Sequence, residues 1–254
     1  MKTLLVCATL LVTTAGLASA GPGSVNLGWL DCPNQGTYTL TRTFACNTNT
    51  GGGHVLFGSF VAPAGMLAVS GFASVIDMQS AAATLPAWWQ VRGAAPAGCR
   101  PASMTPNFDF TAGPGNCFDY WQGGAVGGSS ASYPTTAANR SRLLATAALP
   151  AGDSRITSIP EGTEVYCFKL TFNNLKTVGL GACGGCADEA CLVLNSILVT
   201  QAPGTPGGNF TLSAPGAVAH AVWQGWSIID PLHQCPAVTP TKNRTWGSIK
   251  AIYR

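Results

Sequence analysis

The sequence predicts an all-β protein, a disulfide-stabilised β-sandwich of jelly-roll-like form built as a single domain, and three observations carry that expectation. Apolar residues recur with period two along most of the chain, as where Val25, Leu27 and Trp29 alternate with Asn26 and Gly28. The alternating runs are short and are separated by turns drawn from 31 Gly and 17 Pro. Charge is scarce: Asp, Glu, Lys and Arg make up 9% of the 254 residues and hydrophobic residues 46%. Intrinsic disorder needs the reverse balance, and a helical bundle needs many more Lys and Glu on its solvated faces.

In chain order, residues 1–20 read as a secretory signal peptide. Lys2 opens it, residues 4–16 are apolar, and Ala18-Ser19-Ala20 places a small-residue cleavage pattern before Gly21. The domain then covers residues 21–254. Strand-like runs fall at 25–29, 38–45, 54–61, 66–78, 104–110, 142–149, 165–172, 191–200, 209–212, 219–226 and 246–253. Turns lie at 50–53, 62–65, 113–115 and 202–208. The run at 191–200 is almost continuously apolar, as a strand covered on both faces would be. Residues 135–149 are rich in Ala and form the one helical candidate, ended by Pro150. No later stretch reaches the ~20 apolar residues of a spanning helix. The expected location is therefore secreted, periplasmic or at the cell surface, with no membrane span.

Nine cysteines remain after residue 20, which in an oxidising compartment reads as a disulfide framework with one left over. Local proximity favours Cys32 with Cys46 and Cys99 with Cys117, each loop contributing roughly 3 kcal/mol in the chain-entropy picture. Two further bridges are expected among Cys183, Cys186, Cys191 and Cys235. Cys167 sits on the strand face opposite Tyr166, Phe168, Leu170 and Phe172, beside Lys169, and is the expected free thiol. Cys183-Gly-Gly-Cys186 with Cys191 has the first spacing of a zinc knuckle, but no His is near and Ser196 stands where a further ligand would be wanted. A redox reading would need a βαβ context, and Gly-rich flanks leading into a strand do not supply it. No metal and no cofactor are expected.

For function, a formal charge of +3 with no basic run argues against a nucleic-acid partner. His54, His220 and His233 are the three histidines, and none lies beside a nucleophile-elbow pattern. The carboxylates Asp109 with Asp119, and Glu161 with Glu164, are the only support for a hydrolase. The seven tryptophans are the better lead. Adjacent Trp88 and Trp89 cannot both face the core of an extended segment, so one should be exposed, covered by a loop or in an interface. Trp-Gln recurs at Trp89-Gln90, Trp121-Gln122 and Trp223-Gln224, with Asp119 and Tyr120 beside the second and Trp226 beside the third. Aromatic faces next to amides and an acid suit sugar rings. The candidate binding residues are Trp88, Trp89, Gln90, Asp119, Trp121, Gln122, Trp223 and Gln224. The expected role is a non-catalytic binding module for a glycan or surface polymer. The alternatives are a structural subunit of an envelope or extracellular assembly and, further off, a carbohydrate-active hydrolase. The oligomeric state is left open.

Several blocks carry a resemblance: Phe44-Ala-Cys-Asn-Thr-Asn-Thr50, Leu85-Pro-Ala-Trp-Trp-Gln90, Asn107-Phe-Asp-Phe110, Lys176-Thr-Val178 with Cys183-Gly-Gly-Cys186, and Asn243-Arg-Thr-Trp-Gly247. Together they resemble an uncharacterised group of exported bacterial proteins, labelled hypothetical, with no known activity. The resemblance implies a single exported domain and a position at Cys167 that is not usually cysteine. It also discounts the glycosylation sequons at Asn139, Asn209 and Asn243. Four bridges and one thiol predict that alkylation of the unfolded, unreduced mature protein adds a single label by intact mass. Three labels would revive a metal or redox role.

Overall fold

The structure, a computed structural model, describes residues 21–111, 117–216, 218–227 and 235. The expected signal peptide, the turn at 113–115, His233, the run at 246–253 and the block at 243–247 lie outside the described residues.

Among the described residues twelve strands form two sheets. They are β1 (Ser24–Trp29), β2 (Thr41–Arg42), β3 (His54–Val61), β4 (Val69–Ser80), β5 (Met104–Asn107) and β6 (Val126–Ser132), followed by β7 (Arg140–Ala148), β8 (Glu164–Phe172), β9 (Ala190–Gln201), β10 (Phe210–Leu212), β11 (Ala214–Pro215) and β12 (His220–Trp223). The smaller sheet runs β11-β1-β3-β8-β5, and the larger runs β2-β12-β9-β4-β7-β6, with β10 also on β9. Pairing is antiparallel except where β1 meets β11 and β12 meets β2. One continuous apolar core takes residues from both sheets, which gives the sandwich-like arrangement that the period-two pattern predicts.

The local reasons are legible. On β7, Ser141, Leu143, Ala145 and Ala147 are buried while Arg142, Thr146 and Ala148 are exposed, so the Ala-rich segment is a strand and not a helix. Burial against β4 overrides the weak helical preference of alanine. β9 lies between β4 and β12, and its outer residues Cys191 and Val193 form a second small cluster with Val222 and Trp226, so both faces are covered as predicted. β6 and β11 carry no predictive signal: Val-Gly-Gly-Ser-Ser-Ala-Ser reads as a turn, and Pro215 argues against a strand.

The bridges are long-range. Cys32 pairs with Cys117, Cys46 with Cys186, Cys99 with Cys183 and Cys191 with Cys235. This overturns the local pairs Cys32–Cys46 and Cys99–Cys117, and it sends Cys183 and Cys186 to different partners. Sequence neighbours were the wrong guide because a sandwich brings each loop against loops from other strand pairs. At separations of 44 to 140 residues, each bridge restricts the unfolded chain by about 4 to 5 kcal/mol in the chain-entropy picture. Four disulfides fit an oxidising compartment. No helix of the described residues is long and apolar enough to cross a membrane.

Among the described residues Cys167 is the free cysteine; it is fully buried, and burial pushes its thiol pKa well up. It is the extra residue of a β-bulge: Gly58 pairs with Phe168 and Ser59 with Tyr166, leaving Cys167 unpaired. Both faces of β8 are therefore buried. Opposite the bulge, the Phe168 ring lies directly over Gly58, where a Cβ would come within 2.1 Å of it. Gly58→Ala is expected to cost about 2 kcal/mol through overpacking. Gly52→Ala, with no atom within 4 Å of the new Cβ, should stay within about 0.5 kcal/mol. Denaturant titration of the oxidised protein measures both.

Candidate functional site

Trp88 and Trp89 are both buried, because residues Ala87–Trp89 form a single 3-10 turn and not an extended segment. Successive side chains on such a turn do not alternate, and both rings enter one aromatic cluster. Trp88 stacks on Trp223 at 4.9 Å, and Trp89 meets Trp223 and Phe172 edge-on. Over the other face of Trp88 lies the Arg100 guanidinium, 3.8 Å from the ring centroid. The loop after β8 covers the pair: Thr177 Oγ1 accepts from the Trp88 indole N–H at 3.1 Å, and the Leu175 and Asn173 carbonyls accept from Arg100. Trp121 and Trp223 are equally buried, donating to the carbonyls of Tyr166 at 2.8 Å and Cys186 at 2.7 Å. None of these four rings presents a face to a ligand, which corrects the expectation that they form the binding surface. Their size and complete burial make them core, and the indole N–H groups of Trp88, Trp121 and Trp223 are satisfied internally.

The glutamines divide. Gln90 Nε2 donates to the Leu85 carbonyl at 3.1 Å. Gln224 Nε2 donates to the Phe44 carbonyl at 2.7 Å while its Oε1 accepts from the Phe44 N–H, tying the chain after β2 to the end of β12. Both are structural. Gln122 alone points outward, exposed and with no side-chain hydrogen bond among the described residues. It sits at φ 46°, followed by Gly123 at φ 67°, in a tight turn closed by the Gly124 N–H on the Trp121 carbonyl at 2.9 Å. Trp223-Gln224-Gly225-Trp226 repeats the geometry with φ 58° and 82°. The Trp-Gln-Gly echo in the sequence is thus a turn signature, in which the Trp anchors and the Gln takes a left-handed conformation. Asp119 caps the first of these turns, its Oδ2 accepting from the N–H groups of Gly123 at 2.9 Å and Phe110 at 3.3 Å.

That turn forms one wall of a cleft of about 420 Å³ lined by Phe118, Tyr120, Gln122, Arg155, Ser158 and Thr163 among others. The size lies within the range of small-ligand clefts, roughly 300–1,000 Å³. Phe118 is 54% exposed, a large apolar ring left at the surface. Tyr120, which also lines the cleft, is fixed by its hydroxyl, which donates to the Val69 and Thr157 carbonyls at 3.1 and 2.9 Å. Arg155 makes a two-pronged ion pair with Asp153, Nε to Oδ1 at 2.8 Å and Nη2 to Oδ2 at 2.5 Å, and donates from Nη1 to the Gln122 carbonyl at 3.2 Å. The hydrogen bonds from Arg155 hold the Asp153 carboxyl down to about 2. This pair joins the loop before β8 to the turn before β6. A smaller cleft of about 280 Å³ between Arg100 and Leu175 has its cations turned inward: Arg100 faces carbonyls, and Lys176 Nζ donates to the Cys99 carbonyl at 2.9 Å.

The remaining candidates are structural. Asp109 Oδ1 accepts from Thr111 within its own loop. Glu164 accepts from Ser59 Oγ at 2.6 Å, Asn26 at 3.0 Å and Asn34 at 3.1 Å, and burial raises its pKa. Glu161 is exposed. One grouping of metal-ligand atoms occurs among the described residues, Asp31 with Cys32 and Cys117. Its two sulfurs are bridged, and the carboxylate accepts from Cys32 N, Thr37 N and Thr37 Oγ1.

Comparison with known proteins gives no match: no family model fits the chain, and no curated protein or solved structure is similar to it. Fold and site together define a disulfide-rich all-β protein with an aromatic and polar surface cleft.

His54, at the start of β3, is a buried structural residue. Its Nδ1 accepts from Arg42 Nε at 2.9 Å, which leaves the proton on Nε2 facing Asn174 Oδ1 at 2.9 Å. Burial, then the charge of Arg42, lowers its pKa to about 4. The folded state thus holds the imidazole neutral. Its contribution is complete above pH 6.5, the unfolded value, and is lost as pH falls from there to about 4. The shift corresponds to about 3 kcal/mol. Subtracting the stability–pH curve of His54→Gln from that of the wild type should isolate this slope, and parallel curves would refute it.

Proposed function

We propose that the protein is an exported, non-catalytic binding module for a glycan or other hydroxyl-rich surface polymer, and that the ligand lies in the Phe118–Gln122–Arg155 cleft. The observation that carries the reading is the half-exposed Phe118 ring set beside an unengaged amide and a row of hydroxyls. The C–H face of a sugar ring stacks on an aromatic face, while its hydroxyls need donors and acceptors around the rim. Gln122 offers both, Ser158 and Thr163 add hydroxyls, and the Arg155–Asp153 pair keeps the rim rigid. The signal-like residues 1–20 and the four disulfides support export.

Retention on a panel of soluble and insoluble polysaccharides, with sugar release followed in the same tubes, tests this reading. Phe118→Ala and Gln122→Ala, both at exposed positions, should each weaken retention about tenfold with Tm nearly unchanged. Wild-type retention in both variants would remove the cleft from consideration, and released sugar would favour a hydrolase.

A further inference from the structure

The ends of the two sheets are not alike. A sheet edge carries unpaired N–H and C=O groups that can pair with another chain, and proteins ordinarily blunt it. β11 is two residues long and includes Pro215, β2 is two residues long and includes Arg42, and β5 is four residues long and includes Pro106. β6 has none of these devices. It runs for seven residues, Val126–Ser132, with no proline and no charge, and forms the end of the larger sheet. Among the described residues it is hydrogen-bonded to β7 alone, and its residues make no further hydrogen bond to any of them. A Cβ at Gly128 would meet no atom within 4 Å.

We propose that β6 is the contact edge of a homodimer, pairing antiparallel with β6 of a second copy and joining the two larger sheets into one. The occupant follows from the composition of the strand. Antiparallel pairing of two identical edges has two-fold symmetry and closes on itself. Centred on Ser129, it sets Val126 against Ser132, Gly127 against Ala131 and Gly128 against Ser130, so no pair is bulky and no like charges meet. A foreign peptide added to an edge is selected through pockets for its alternate side chains, and Gly127 and Gly128 supply none. What β6 offers is backbone, which an identical strand matches throughout. The dimer rests on no property of the cleft.

Sedimentation velocity of the oxidised protein from micromolar to millimolar concentration tests the proposal. The wild type should pass from monomer to dimer. Ser129→Lys and Ser129→Glu should each stay monomeric at tenfold higher concentration, and an equimolar mixture of the two should dimerise again. A substitution that merely unfolded β6 would not be rescued by mixing. Ser129→Cys, oxidised, should give a dimer linked through residue 129, since directly opposed residues lie within disulfide reach. A wild type that remains monomeric throughout and leaves Ser129→Cys unlinked overturns the proposal. So does a dimer that Ser129→Lys leaves intact.

Discussion

The Trp88 indole lies between the Trp223 ring and the Arg100 guanidinium, and much of the molecule is organised around that stack. Arg100 is 1% exposed. Its donors meet the carbonyls of Trp88, Asn173 and Leu175, and the ring face takes the charge that a carboxylate would otherwise balance. Burial lowers its pKa to about 10, which still leaves it protonated at neutral pH. A cation held this way fixes its acceptors, because any carbonyl that moved away would leave a buried N–H unsatisfied. The 3-10 turn, the loop after β8 and the end of β12 are thereby locked together. Cys99–Cys183 and Cys46–Cys186 fasten the same loop covalently.

That arrangement explains why the aromatic wealth of the chain does not appear on its surface. Charged side chains are few, and the buried indole N–H groups of Trp29, Trp121 and Trp223 are satisfied by backbone carbonyls. The core is consequently rigid at the end where Trp29, Trp88, Trp89, Trp223, Phe172 and His54 meet. The proposed ligand cleft lies at a different place, where the chain turns from Asp119 to Gly124 before entering β6. Arg155 with Asp153, the Tyr120 hydroxyl and the Asp119 cap hold it in shape. Function placed on a turn supported by buried anchors is a common economy of β-sandwiches, whose loops vary while their sheets do not.

Cleft and open edge are consecutive in the chain, since the Gln122 turn runs into Val126 within four residues. In a two-fold pair of β6 strands the two clefts would stand at opposite ends of the joined edge. A repeating polymer could then meet both, which multiplies retention without any new contact. The contrast among edges matters independently of this. Brevity at three of them, with proline at two and an arginine at the third, is the ordinary protection against unwanted pairing, and among the described sheet ends β6 lacks it.

Period two, the Gly and Pro turns and the odd cysteine count determined the all-β class, most strand positions, the four-bridge framework and the identity of Cys167 as the thiol. These are local properties: alternation reports a half-buried strand wherever it occurs, and counting does not depend on pairing. The tertiary structure alone decided which cysteines join, because connectivity is set by which loops meet across the sandwich. It decided between the strand-like run at 142–149 and the helical candidate at 135–149, and it decided that Gly-Ser-rich β6 is a strand, since burial against β4 and pairing with β7 outweigh weak propensities. It also decided the site. Trp88 and Trp89 suggest exposure only if the segment is extended, and Pro86 introduces a 3-10 turn that puts both inside. Phe118 and Arg155 stand 37 residues apart, and nothing in either neighbourhood signals that they share a cleft; Gln122 is the one candidate residue found there with its side chain unengaged, on a left-handed turn that the Gln-Gly pair only hinted at.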